Sequence, residues 1–216
     1  MRRTVAPYDR KATVYDVIVG RPGYHRVFWG TSPESFARFG RAALEAAGDD
    51  PFAEVGCGSL LFTAAMYREV RAGSVALVDR SMGMLRRGRK RLGSAEGAPG
   101  ARIAMVHADA TVLPLRQGTC AAILSLNLLH VPCDRTAIVA QCARSLLPGQ
   151  GRLFVTSLVR SGRWSDVWLS ILHRAGELGA PLSLDQLCET VAGRWAAIES
   201  MSMEGNMCFL RVRHAG

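Results

Sequence analysis

The chain has 216 residues, enough for one domain with a full hydrophobic core. Hydrophobic residues make up 49% and charged residues 21%, the balance of an ordinary soluble protein, and no run is long or apolar enough to read as a membrane helix. Charge excludes less: the net +9 is carried almost wholly by arginine, with Lys11 and Lys90 the only lysines. The first residues carry charges with no apolar run behind them, so no secretory signal is expected. Cysteines at 57, 120, 133, 142, 188 and 208 form no C-x-x-C pair. That scatter argues against structural zinc and a disulfide framework, and for a reducing cytoplasm.

Residues 1–30 are irregular and aromatic, with Tyr8, Tyr15, Tyr24, Phe28 and Trp29. Thr31-Ser32-Pro33-Glu34 then gives a hydroxyl cap, a proline in the first turn and an acid, which predicts a helix to about Ala47, stopped by Gly48. From residue 51 strands and helices alternate. Strands are expected at 52–56, 74–78, 102–107, 120–126 and 151–158. Helices are expected at 60–71, 82–92 and 132–147, with two weaker ones at 163–178 and 183–192. The apolar run 120–126 has the character of a strand buried in a parallel sheet. Two β-like runs, 195–203 and 206–213, are joined by Glu204-Gly205 and read as a closing hairpin. The sum is an α/β, Rossmann-like single domain spanning 1–216. Its sheet should be seven-stranded and mostly parallel, with an antiparallel C-terminal hairpin strand at its reversed edge.

The stretch Phe52-Ala53-Glu54-Val55-Gly56-Cys57-Gly58-Ser59 concentrates the chemistry. A strand breaking into a Gly-x-Gly turn brings backbone close to a ligand. An acid just before the glycines repels phosphate, so a cationic or hydroxyl-rich ligand is expected. Asp79 ends the next strand, 21 positions after Gly58. Two readings stand for it: acceptor of ribose hydroxyls, as in other Rossmann-like sites, or a cap for the helix at Ser81. Ala108-Asp109-Ala110 follows the third strand, and Asp109 could equally make an Asx turn. Ser125-Leu126-Asn127-Leu128-Leu129-His130 follows the fourth.

In their order these elements resemble the class I S-adenosylmethionine-dependent methyltransferases, of the small-molecule, ubiquinone- and menaquinone-biosynthesis type. The resemblance implies S-adenosyl-L-methionine as cofactor and S-adenosyl-L-homocysteine as product. It implies that Glu54, with the turn Gly56, Cys57 and Gly58, orders the methionine end and its ammonium. Asp79 would take the ribose, with Arg80 and Met84 flanking it. Asp109 and the Ala110 N–H would meet the adenine, and Leu126 would close the wall. One departure is Leu60, where many members carry a third glycine; a side chain there is expected to narrow the space beside the methionine tail. An NAD site is disfavoured by the acid before Gly56 and by Leu61 in place of the last glycine of G-x-G-x-x-G.

Methyl transfer from a sulfonium is an in-line displacement that needs positioning more than acid–base groups. The acceptor is therefore less legible than the cofactor. Residues 1–30 and 159–193 are expected to form a substrate lid, with 31–158 as the cofactor-binding core and 194–216 as the hairpin. Tyr15, Tyr24, His25, Trp29, Asn127 and His130 are the substrate candidates, and Trp164, Trp168 and His173 lie on the second lid segment. His130 is also the one candidate base, against the plainer reading of a packed loop histidine. No metal site is expected, nor a membrane, and the chain is taken as a monomer or homodimer acting on a small-molecule acceptor. Two alternatives remain. The +9 charge and the Arg86–Arg91 run could serve an RNA substrate, or the fold could bind the cofactor without methylating.

Overall fold

The computed structural model describes residues 29–69, 73–93, 102–131, 133–162, 164–193 and 195–216. The expectations for Tyr15, Tyr24 and His25 fall outside the described residues. Helix α1, Pro33–Ala47, starts where its sequence says: Ser32 Oγ accepts from Ser35 N–H, Pro33 opens the first turn and Gly48 ends the helix. Then follow β1 (Phe52–Val55), α2 (Ala64–Arg68), β2 (Ser74–Asp79), α3 (Met82–Leu92), β3 (Arg102–His107) and β4 (Ala122–Leu126). The chain continues through α4 (Arg135–Ser145), β5 (Arg152–Leu158), α5 (Ser165–Arg174) and α6 (Leu184–Ala192), and closes with β6 (Ala196–Glu204) and β7 (Met207–His214).

The seven strands lie in the order β3-β2-β1-β4-β5-β7-β6. Pairings among β1 to β5 are parallel, and β7 runs antiparallel to both β5 and β6. The expected reversed edge strand is therefore corrected: the reversed strand is β7, which sits inside the sheet, and the edge is β6. Burial explains the order. Cys208, Leu210 and Val212 on β7 are fully covered, whereas most of β6 is open and shows Ile198, Met201 and Met203 to solvent. The more apolar strand takes the inner place.

Alternation across β4 divides the core into two layers. Ala122 and Leu124 pack with Phe36, Tyr67, Phe154 and Phe209 on one face. Ile123 packs with Val139, Leu146 and Leu187 on the other. Strand order reverses between β1 and β4, so a crevice opens above their carboxyl ends, where open α/β sheets bind ligands.

Two local departures matter for function. Helix α2 spans Ala64–Arg68, far shorter than the expected 60–71. Leu60 adopts a left-handed conformation with φ 56°, and its carbonyl accepts from both Thr63 and Ala64 N–H. The helix therefore cannot begin before that residue, whatever the apolar pattern says. Trp29, expected at the substrate, instead belongs to the core: it is 5% exposed, and its carbonyl accepts from Asn206 N–H at 3.0 Å. Asn206, buried in the β6–β7 turn, donates from Nδ2 to Val159 O at 2.9 Å and to Asp166 Oδ1 at 2.7 Å, and its Oδ1 accepts from Ser165. One amide thus joins the hairpin, the end of β5, the start of α5 and Trp29.

Candidate active site

The β1–β2 edge builds the site's frame. Gly56 and Cys57 N–H groups both donate to Val78 O, at 2.8 and 3.0 Å, which bends the chain sharply out of β1. Gly56 has φ 73°, and a Cβ there would lie 3.0 Å from both methyls of Leu128, so this position needs glycine twice over. The Gly58 N–H then donates to Asp79 Oδ2 at 2.8 Å, while Asp79 Oδ1 accepts from Ser81 N–H at 2.7 Å. Asp79 ties the glycine turn to the start of α3, where Ser81 caps Met84 N–H. The capping reading of Asp79 therefore holds: it braces the helix start and the glycine turn, and it lines the cleft.

Glu54 lies on β1 at 2% exposure, its carboxylate accepting from Tyr67 Oη at 2.6 Å and Thr63 Oγ1 at 3.0 Å. Burial pushes its carboxyl up to about 7, against the pull of those two hydroxyls. The unfolded chain ionises this group near 4.5, so its contribution makes stability fall as pH rises from about 4.5 to about 7. Asp109 is more open. Its Oδ1 accepts from Thr111 N–H at 2.9 Å and Oγ1 at 2.8 Å, an Asx turn. The Thr111 N–H, aided by its hydroxyl, holds the carboxyl below its ordinary range. Oδ2 has no protein partner among the described residues.

One cleft collects these groups. Glu54, Gly56, Cys57 and Gly58 line it from the turn, and Asp79, Arg80 and Met84 from the end of β2 and the first turn of α3. Asp109 and Ala110 line it beyond β3, and Leu126 and Asn127 at the end of β4. The His107 ring contacts Arg80 O at 3.0 Å, fixing that part of the wall. Leu128, Val131 and Ile138 give an apolar face on the same cleft as Asp109. Within a chain of net charge +9, the charged lining among the described residues is Glu54, Asp79, Asp109 and Asp134 against Arg80. That balance disfavours phosphates and suits a cation.

Residues 52–149, a little under half of the chain, match the family model for a methyltransferase domain. Solved structures agree on the architecture. The [4+2]-cyclase SpnF superposes with a TM-score of 0.70 at 15% identity, covering 98% of this chain and 96% of its own. A Haloferax volcanii chain solved with the Trm112 methyltransferase activator gives 0.69 at 15%, covering 97% and 98%. Geranyl diphosphate C-methyltransferase from Streptomyces coelicolor A3(2) gives 0.65 at 14%, covering 98% and 84%. Residues 52–149 are thus similar to a methyltransferase domain, and the chain around them adopts the same fold as these structures. No curated protein is similar enough in sequence to match it, and at these identities the solved structures establish the fold alone.

Within the methyltransferase fold, Leu60 stands where a third glycine is common. It keeps the glycine-like φ and turns its side chain the other way, into the core at 1% exposure, while Ser59, Leu61 and Phe62 face the cleft. The expected narrowing of the methionine end is thereby corrected. Gly88 on α3 makes the room, since a Cβ there would stand 3.1 Å from Leu60 Cγ and 3.0 Å from Met105 Cε. Leu60→Gly should relieve about 1 kcal/mol of left-handed strain but empty a leucine-sized space costing about 2–5 kcal/mol. The expected net is a loss of about 2 kcal/mol in urea unfolding, with the cleft unaltered.

His130 is not on the cleft. Its Nδ1 accepts from Leu158 N–H at 3.1 Å, and its carbonyl accepts from Gly179 N–H. It lines a separate small cavity with Leu169 and Pro181. Burial, then the nearby Arg135 charge, push the imidazole down to about 3. It is neutral, and its only basic nitrogen is already used, which corrects the expectation of a base. Asn127 does lie on the cleft, at φ 57°, with Oδ1 accepting from Thr156 Oγ1 and its own N–H donating to that hydroxyl. An amide held in this sparsely populated region at a strand end is the kind of strain found at binding sites. On the 159–193 segment, Trp164 is 92% exposed and Trp168 47%, and neither lines the cleft. His173 also lies off it, its Nδ1 in contact with Leu178 O.

Sequence reasoning passed over Thr63 and Tyr67, which are the partners of Glu54. Both stand in an apolar run that reads as core. The available signal was their spacing of four residues, which puts two hydroxyls on one side beneath a buried acid.

Proposed function

We propose that this protein binds S-adenosyl-L-methionine in the acidic cleft and transfers its methyl group to a small-molecule acceptor. The observation that carries the reading is the row of carboxylates at the ends of three adjacent strands: Glu54 on β1, Asp79 on β2 and Asp109 after β3. Their environments suit three different groups. A buried carboxylate held by two hydroxyls fits an ammonium, a backbone-anchored one fits a diol, and an exposed one on the same cleft as Leu128, Val131 and Ile138 fits the amine edge of a flat ring. When bound, the cofactor supplies a methyl group already activated on a sulfonium. The chain's own work is to orient and desolvate. Glu54 and Asp79 fix the two ends of the methionine–ribose unit, and Leu126 and Asn127 stand at the strand end where an acceptor would approach. The six free cysteines suit a reducing cytoplasm.

A second reading has support of its own. SpnF shares the fold and is a [4+2]-cyclase, so a cofactor-binding catalyst of another reaction fits the same architecture. An RNA substrate is less favoured. Arg86, Arg89 and Lys90 are exposed on α3, but none of them lines the cleft, and Arg91 is spent on Ser59 O at 2.7 Å. Methyl-labelled cofactor supplied with small-molecule extract and, separately, with total RNA should label only the small-molecule fraction. Label in RNA that vanishes at high salt would move the assignment to RNA; bound cofactor with no label in either would move it to the cyclase-like reading.

A further inference from the structure

The two oxygens of Glu54 are treated unequally. Oε2 accepts from Tyr67 Oη at 2.6 Å and from Thr63 Oγ1 at 3.0 Å, whereas Oε1 has only a 3.4 Å contact with Thr63 Oγ1. Tyr67 is fully buried and Thr63 is 1% exposed. Packing alone does not ask for these hydroxyls, because phenylalanine and valine would fill the same space without a polar atom to satisfy. The other titratable groups facing Glu54 are Asp79 from β2, whose charge disfavours a second negative charge, and Cys57 from the turn, whose thiol is pushed up by burial and then by the charges of Glu54 and Asp79. No cation is among the groups that set its ionisation. The carboxylate therefore depends on two hydroxyl donors until a ligand arrives.

We infer that Tyr67 and Thr63 are positioning residues whose hydroxyls hold Oε2 of Glu54, leaving Oε1 as the cleft's receptor for the cofactor's ammonium. The inference rests on the cofactor reading above and adds a consequence to it. Hydrogen bonds to the charged form favour that form, so the clamp lowers the proton affinity of Glu54 and the arriving ammonium completes the task. Binding then expels a proton wherever Glu54 is partly protonated. Affinity should rise with pH as Glu54 ionises and level off above that range.

The test is calorimetric titration of S-adenosyl-L-homocysteine at about pH 6 and about pH 8, each in two buffers of different ionisation enthalpy. Wild type should release a proton at the lower pH and almost none at the higher. Tyr67→Phe should bind about tenfold more weakly and should still release a proton at the higher pH. Glu54→Gln should release none at either, and adding Tyr67→Phe to it should cost little more. Thr63→Val should weaken binding and Thr63→Ser restore it, which keeps the test open if Tyr67→Phe folds poorly. Wild-type affinity and proton release in both Tyr67→Phe and Thr63→Val would overturn the clamp. A parallel carbon-13 titration of the Glu54 carboxyl in the ligand-free protein should move upward in Tyr67→Phe. An unmoved titration overturns the clamp without reference to any ligand, and a wild type that never binds overturns the cofactor reading instead.

Discussion

Replacing Asp79 by alanine should cut S-adenosyl-L-homocysteine affinity by at least about 100-fold, equivalent to ~2.7 kcal/mol. The size follows from two losses at one carboxylate. Asp79 is the proposed ribose acceptor, and it also holds Gly58 N–H at 2.8 Å and Ser81 N–H at 2.7 Å. Hydrogen bonds to a charged group contribute about 1.5–3 kcal/mol each. Without them the glycine turn is released from α3, so the ligand must order a loop that wild type presents already formed. Asp79→Asn keeps acceptor capacity for one of the two N–H groups, so its loss should be smaller, about tenfold. Calorimetry on both variants separates the effects: equal losses would mean that bracing the turn contributes nothing.

Gly205→Ala should be the most damaging single change to the fold away from the cleft. Gly205 has φ 61°, and a Cβ there would fall on the Trp29 carbonyl oxygen and within 2.8 Å of Gly30 Cα. Neither obstacle is the end of a flexible side chain. The β6–β7 turn must move away from Trp29, and the adjacent Asn206 must then give up its bonds to Trp29, Val159 and Asp166. A buried amide losing its partners costs about 1–3 kcal/mol per group. Thermal or urea unfolding should show a loss of about 3–5 kcal/mol. A loss under about 1 kcal/mol would mean the turn yields easily and Asn206 is no hub.

The alternating core was legible because parallel strands covered on both faces give unbroken apolar runs, as in Ala122–Leu126, and because caps are local chemistry, as at Ser32 and Ser81. The acidic lining of the cleft was legible for a related reason: each carboxylate sits at or near a strand end, where spacing alone fixes its place. What escaped depended on distant contacts. Leu60 reads as helix from its neighbours, but it is held left-handed because Gly88 leaves room for its side chain. His130 reads as a base from its position after β4, but Leu158 N–H occupies its ring nitrogen, 28 residues away in sequence. The inner position of β7 depends on the relative burial of two strands rather than on either strand's own pattern. Tyr67 resembles any core aromatic until Glu54 is seen beneath it.

The most direct measurement is a structure of the protein with S-adenosyl-L-homocysteine bound. The ammonium should lie against Glu54 Oε1, the ribose hydroxyls against Asp79 and the adenine amine against Asp109, with Leu60 still turned into the core. A ligand seated outside this cleft, or an empty cleft at saturating ligand, would contradict the assignment.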